Sequence, residues 1–138
     1  MLRQSQRLEF SEEQTKLTEA SPVPILTGES LYRRQGFLPF ILHPGCHLIQ
    51  IDILKAGGLL EAKKIAAPAE LFYLPVCAHN VASPLGTVAS AHCAAAIRDF
   101  RAHEFAPGTL PTENWEQVAT YEGPVIKDGQ IRILDKPG

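Results

Sequence analysis

The chain has 138 residues, 45% of them hydrophobic and 20% charged, with a formal charge of −2. That is the composition of one soluble globular domain. It offers no basic face for nucleic acid, and no apolar run reaches the ~18–20 residues that a membrane helix needs.

Residues MLRQSQRLEF lack the apolar core of a secretion signal. Cys46, Cys77 and Cys93 form an odd set with no CxxC pair, read as three reduced thiols in a cytoplasmic protein. Ser11 to Ala20 reads as a helix, with Ser11 and Gln14 as a capping box and Glu12 and Glu13 at the positive end of the dipole. Val23 to Thr27 reads as a short buried strand. A helical stretch begins at Ser30; Gly36 and Pro39 interrupt it, which predicts a second short helix over FLPFILH ending at Pro44-Gly45. His47 to Leu54 is almost continuously apolar, the pattern of a strand covered on both faces.

Gly57-Gly58 open a helix whose apolar stripe is Leu59, Leu60, Ala62, Ile65, Ala66 and Ala69, and Pro68 is expected to kink or stop it. Leu71 to Ala78 is a third strand. Ser83-Pro84 is a cap followed by proline at the first helical position, and an alanine-rich helix runs from there to about Arg98. Asp99 to Phe105 is a fourth, short strand. Residues 108–123 read as irregular, and PVIK-DG-QIRIL is a hairpin around an Asp-Gly turn.

Glu29, Asp52, His79 and Glu104 each stand at or just past the end of a strand-like run, with gaps of 23, 27 and 25 residues. A gap of about 25 is what one strand, one helix and two short loops consume. Residues so spaced converge at the C-terminal mouth of a parallel barrel, where barrel enzymes place their chemistry. Two carboxylates, an Asp and a His meeting there suggest a metal site beside an acid/base dyad. Four parallel strands do not close a barrel of eight, and the order opens on a helix with no strand before it. The pattern is that of half of a larger barrel.

Plainer readings stand beside these. Glu29 alone reads as a helix-start carboxylate, Asp52 as a buried partner of Lys55, and His79 as a loop residue. His43, Cys46 and His47 crowd together as zinc ligands would, yet no fourth ligand is near in sequence. Cys77 beside His79 reads as a packed strand thiol more readily than as a nucleophile. His92 and Cys93 read as packing or surface residues, Gly57-Gly58 as a tight turn before an anion cradle, and Trp115 as an anchor for the tail.

Five stretches carry a family resemblance: TGESLYRRQGF, IQIDILKAGGLLEAKKIAAPAE, PVCAHNVASPLGTVASAHCAAAI, HEF and DGQIRILDKPG. Together they resemble the C-terminal half of the enolase superfamily's mandelate racemase subgroup (the mandelate racemase/muconate lactonizing enzyme family). The match is best to the sugar-acid dehydratases of the gluconate, galactonate and xylonate type. It covers nearly everything from Pro22 to Gly138.

The resemblance implies an α/β fold: the last four strands of a TIM-type (β/α) barrel in residues 1–106, and a C-terminal tail over 107–138 that packs on a capping domain. It implies Glu29 as the last of three carboxylates holding Mg²⁺, Asp52 and His79 as an acid/base dyad, and Glu104 as a hydrogen-bonding partner of the substrate carboxylate. The first four barrel strands, the N-terminal cap and the other two metal carboxylates have no counterpart in this sequence.

The family reaction removes a proton next to a carboxylate and gives a doubly charged enediolate. A metal ion acts there as a Lewis acid, His79 as the base near neutral pH, also in reach of substrate, and Asp52 as the group that fixes its tautomer. Glu104 must be protonated to donate, which a dry site favours. The expected partner is a small sugar acid, without nucleic acid or membrane. Two further readings remain open: a racemase or cycloisomerase, and a truncated, catalytically silent remnant that pairs with itself or with a complementary barrel half.

Overall fold

The computed structural model describes residues 12–43, 45–105, 120 and 125–135. Residues 12–20 are helical (α1). Then follow β1 (Leu26–Thr27), α2 (Arg33–Leu42), β2 (Leu48–Ile51), α3 (Ile53–Ala56), α4 (Leu59–Leu71), β3 (Val76–Ala78), α5 (Pro84–Ala95) and β4 (Phe100–His103). A hairpin of β5 (Ile126–Lys127) and β6 (Gln130–Ile131) ends the described chain. Ser11, Pro44 and Trp115 lie outside the described residues, as does most of the expected irregular stretch.

The four strands form one parallel sheet in the order β1-β2-β3-β4. Successive parallel strands joined by right-handed crossovers put their helices on one face. That face carries the core: Ile49, Ile51 and Val76 of the strands meet Phe37, Phe40 and Ile41 of α2 and Ala62, Ile65, Ala66 and Ala69 of α4. The architecture is the expected arc of a (β/α) barrel with a hairpin tail. The tail's Asp128 (φ 52) and Gly129 (φ 74) both turn left-handed, as a two-residue hairpin loop requires.

Several boundaries differ from the sequence reading. Residues 33–42 form one helix, not two, although Gly36 and Pro39 lie inside it. Pro39 costs the bond to the Gln35 carbonyl, yet the anchors Phe37, Phe40 and Ile41 fall on both sides of it and hold the segment to the sheet. Pro68 likewise does not stop α4, which runs on to Leu71 with Ala69 buried beyond it. Leu71 therefore ends a helix rather than starting a strand. The chain turns through Tyr73 (φ 55) before β3 begins at Val76.

The second strand ends at Ile51, because the Asp52 side chain caps the short helix α3, which closes on left-handed Gly57 (φ 115). Leu59 and Leu60 belong to the first turn of α4 and are exposed, so the buried stripe of that helix is the alanines and Ile65. The three cysteines are free and buried. Burial pushes the Cys46 thiol up to about 11.

Ile65 is fully buried and Leu60 is 68% exposed. Ile65→Ala is expected to lower unfolding free energy by about 3 kcal/mol in urea titrations, and Leu60→Ala by no more than about 0.5 kcal/mol. Equal losses at the two positions would contradict this packing.

Candidate active site

The ladder register sets the site. Ile51 pairs with Ala78 and Ala78 with His103, so the next residues of three adjacent strands, Asp52, His79 and Glu104, stand in one row past the strand ends. Backbone bonds continue the ladder one step: His79 N–H donates to the Ile51 carbonyl (3.0 Å) and Glu104 N–H to the Ala78 carbonyl (2.8 Å). Side chains alternate along a strand. The three therefore project away from the helix-covered face that Ile49 and Ile51 occupy.

Asp52 and His79 are buried and hydrogen-bonded, Oδ2 to Nδ1, at 2.9 Å. The other oxygen of Asp52 accepts from the backbone N–H groups of Leu54 (2.8 Å) and Lys55 (3.3 Å). Lys55 thus meets Asp52 through its main chain. Two backbone N–H groups already donate to Asp52; toward such a carboxylate Nδ1–H is the donor, and in that neutral tautomer Nε2 is the bare nitrogen.

Nε2 lies 3.6 Å from Glu29 Oε2 and 4.0 Å from Glu104 Oε2, both beyond a hydrogen bond. The structure therefore gathers all four residues singled out from the sequence around one imidazole. Glu29 is the most open of them, with its side chain 57% exposed.

Gly28 delivers Glu29. Its φ of +127° is left-handed, and a Cβ there would lie 2.6 Å from the Gln50 carbonyl and 2.9 Å from the Phe37 ring. Only glycine lets the end of β1 lie this close to β2.

The loop behind His79 is held by a buried pair: Asn80 Nδ2 donates to Thr87 Oγ1 at 3.0 Å, tying the end of β3 to α5. Ser83 caps that helix by accepting from Gly86 N–H. Gln50, Asn80 and Thr87 were not singled out from the sequence. Gln50 carried a usable signal: it is a polar residue inside HLIQI, two positions before Asp52 and so on the same face.

Other groups are occupied elsewhere. His47 Nδ1 accepts from Ile25 N–H at 2.9 Å, so His47 of the His43-Cys46-His47 crowd has a structural use. Among the described residues no three His, Cys, Asp or Glu side chains are arranged to hold a metal ion. Mg²⁺ takes a near-octahedral set of oxygens. Glu29 supplies one carboxylate, so these residues alone do not make a Mg²⁺ site. No helix among the described residues is long and apolar enough to cross a membrane.

Residues 8–138 match the family model of enolase C-terminal domain-like proteins. The chain is 37% identical over 125 residues to a D-xylonate dehydratase of Haloferax volcanii, covering 91% of this chain and 30% of that protein. Among solved structures it resembles a mandelate racemase/muconate lactonizing enzyme-like protein from Rubrobacter xylanophilus. That likeness has a TM-score of 0.80 and 38% identity over 88% of this chain and 30% of the other. It also resembles an enolase from Agrobacterium radiobacter with sodium and L-malate bound, with a TM-score of 0.65 and 38% identity over 67% of this chain and 24% of that one. The chain thus spans less than a third of each.

Two outcomes follow from this geometry. Gly28→Ala is expected to cost roughly 2 kcal/mol or more in urea unfolding, from the left-handed backbone and the clash with β2; a loss under about 0.5 kcal/mol would contradict the close approach. His103, next to Glu104, donates from Nδ1 to the Glu104 carbonyl (2.8 Å), and its Nε2 is buried with no partner among the described residues.

Burial holds the His103 ring below its ordinary value of 6.5, against the opposing bond and charge of Glu104. The folded state binds this proton less tightly than the unfolded one, so the stability is present above about pH 6.5 and is lost as pH falls below it. The urea midpoint should drop between pH 7 and pH 5, and His103→Gln should flatten that drop. An unchanged slope in the variant would contradict it.

Proposed function

Because the chain belongs to the enolase C-terminal domain-like family, we propose that it carries the acid/base dyad of a sugar-acid (aldonate) dehydratase. The observation that carries the reading is the buried Asp52–His79 bond, with Nε2 turned to a mouth flanked by Glu29 and Glu104. The D-xylonate dehydratase of Haloferax volcanii supports the substrate class.

Asp52 holds the Nδ1–H tautomer, so Nε2 is the base that takes the proton next to the substrate carboxylate. The electron pair moves onto the carboxylate as an enediolate. It then returns to expel the β-hydroxyl, which leaves as water with the proton now on Nε2. The enol product rearranges to a 2-keto-3-deoxy acid. Glu104 binds the substrate carboxylate. Glu29 is the one described carboxylate available to a Mg²⁺, whose remaining ligands would come from outside the described residues.

A second reading has its own support. β1 pairs only with β2 and β4 only with β3 among the described residues, leaving two open parallel edges. A sheet with such edges completes a barrel only with further strands, from a complementary half or a second copy. By itself this segment would then be silent.

Purified chain with Mg²⁺ and a panel of aldonates, D-xylonate first, tests the two. Dehydration to the 2-keto-3-deoxy acid that falls by about 10²–10⁴ or more in His79→Asn supports the first reading. No product with any aldonate from the wild-type chain supports the second, and turnover that survives His79→Asn would sink the dyad.

A further inference from the structure

We propose that Gln50 is a positioning residue for Glu104, holding its carboxylate away from the His79 base. The inference rests on the dyad reading above and deepens it. Gln50 Nε2 donates to Glu104 Oε2 at 2.6 Å, the shortest side-chain bond at the site. Gln50 is buried at 9% exposure, whereas the Glu104 side chain is 40% exposed. The amide is therefore the fixed partner and the carboxylate the mobile one.

The reach follows from register. Gln50 pairs with Cys77 on β3, and Cys77 with Ala102 on β4, so Gln50 lies two strands, or about 10 Å, from Ala102, and Glu104 stands two residues further along β4. Cys77 and Ala102, level with Gln50 on that face, are small, and the glutamine side chain reaches over β3 to Glu104.

The same Oε2 lies 4.0 Å from His79 Nε2. Released from Gln50, Oε2 needs to move only about 1 Å to share a proton with that nitrogen in a hydrogen bond. His79 would then be bonded to a carboxyl group at each end and unavailable as a base. With Oε2 occupied by the amide, Oε1 is the oxygen left to carry the proton that serves the substrate carboxylate. One hydrogen bond thus keeps Glu104 off the base and orients its substrate-facing oxygen.

Nuclear magnetic resonance on the ¹⁵N-labelled chain tests this without turnover. The Gln50 side-chain amide protons should be well separated and should exchange about tenfold more slowly than in Glu104→Gln. Glu29→Gln should leave them unchanged, and burial alone does not produce that contrast. In Gln50→Leu the Nε2 signal of His79 should move as Glu104 closes on it. A double variant, Gln50→Leu with Glu104→Ala, should restore it.

A Gln50 amide indifferent to Glu104→Gln, or a His79 signal indifferent to Gln50→Leu, overturns the proposal. In the turnover assay, Gln50→Leu should lower kcat more than it raises KM, since it disables the base. Absence of turnover from the wild-type chain would count against the dehydratase reading alone, and the amide signals would still decide the role of Gln50.

Discussion

The hydrogen bond between Asp52 and His79 depends on a register match that the whole sheet must keep. A slip of one residue between β2 and β3 would turn one of the two to the opposite face and destroy the pair. Ile49, Ile51 and Val76 fix that register, because they reach the apolar core only in this alignment. The site is therefore held by the packing beneath it: α4 turns Ala62, Ile65, Ala66 and Ala69 into the core shared with the strands and α2. Asp52 links the two levels, with one oxygen starting α3 and the other fixing the imidazole.

Much of this was legible in the sequence. The four strands, the spacing of Glu29, Asp52, His79 and Glu104, the Ser83-Pro84 helix start and the Asp-Gly turn all rest on strong local signals. The parallel order follows from strands alternating with helices. What misled was mostly local propensity overridden by packing. Pro39 and Pro68 are helix breakers by intrinsic preference, yet each sits in a helix anchored on both sides of it by buried residues. Leu59 and Leu60 look like a core stripe, but a helix presents only part of its circumference to a sheet. Leu71 to Leu74 are apolar enough for a strand and instead close a helix through a left-handed Tyr73.

The network around the dyad was hidden for another reason. Gln50 reaches Glu104 across an intervening strand, and Asn80 reaches Thr87 on the next helix; neither contact has a sequence spacing of its own. The first passes over β3, where Cys77 is level with Gln50. A side chain of that size looks like packing until the sheet is assembled. The edges of β1 and β4 are the complementary point: the described residues make one coherent row of site groups, while closing a barrel around it calls for strands beyond them.

The tautomer of His79 tests the account most directly. ¹⁵N resonance of the labelled imidazole at neutral pH should show a protonated Nδ1 and a bare Nε2, and replacing Asp52 with alanine should abolish that preference. A wild-type His79 that carries its proton on Nε2, or an imidazole unmoved by the loss of Asp52, would contradict it.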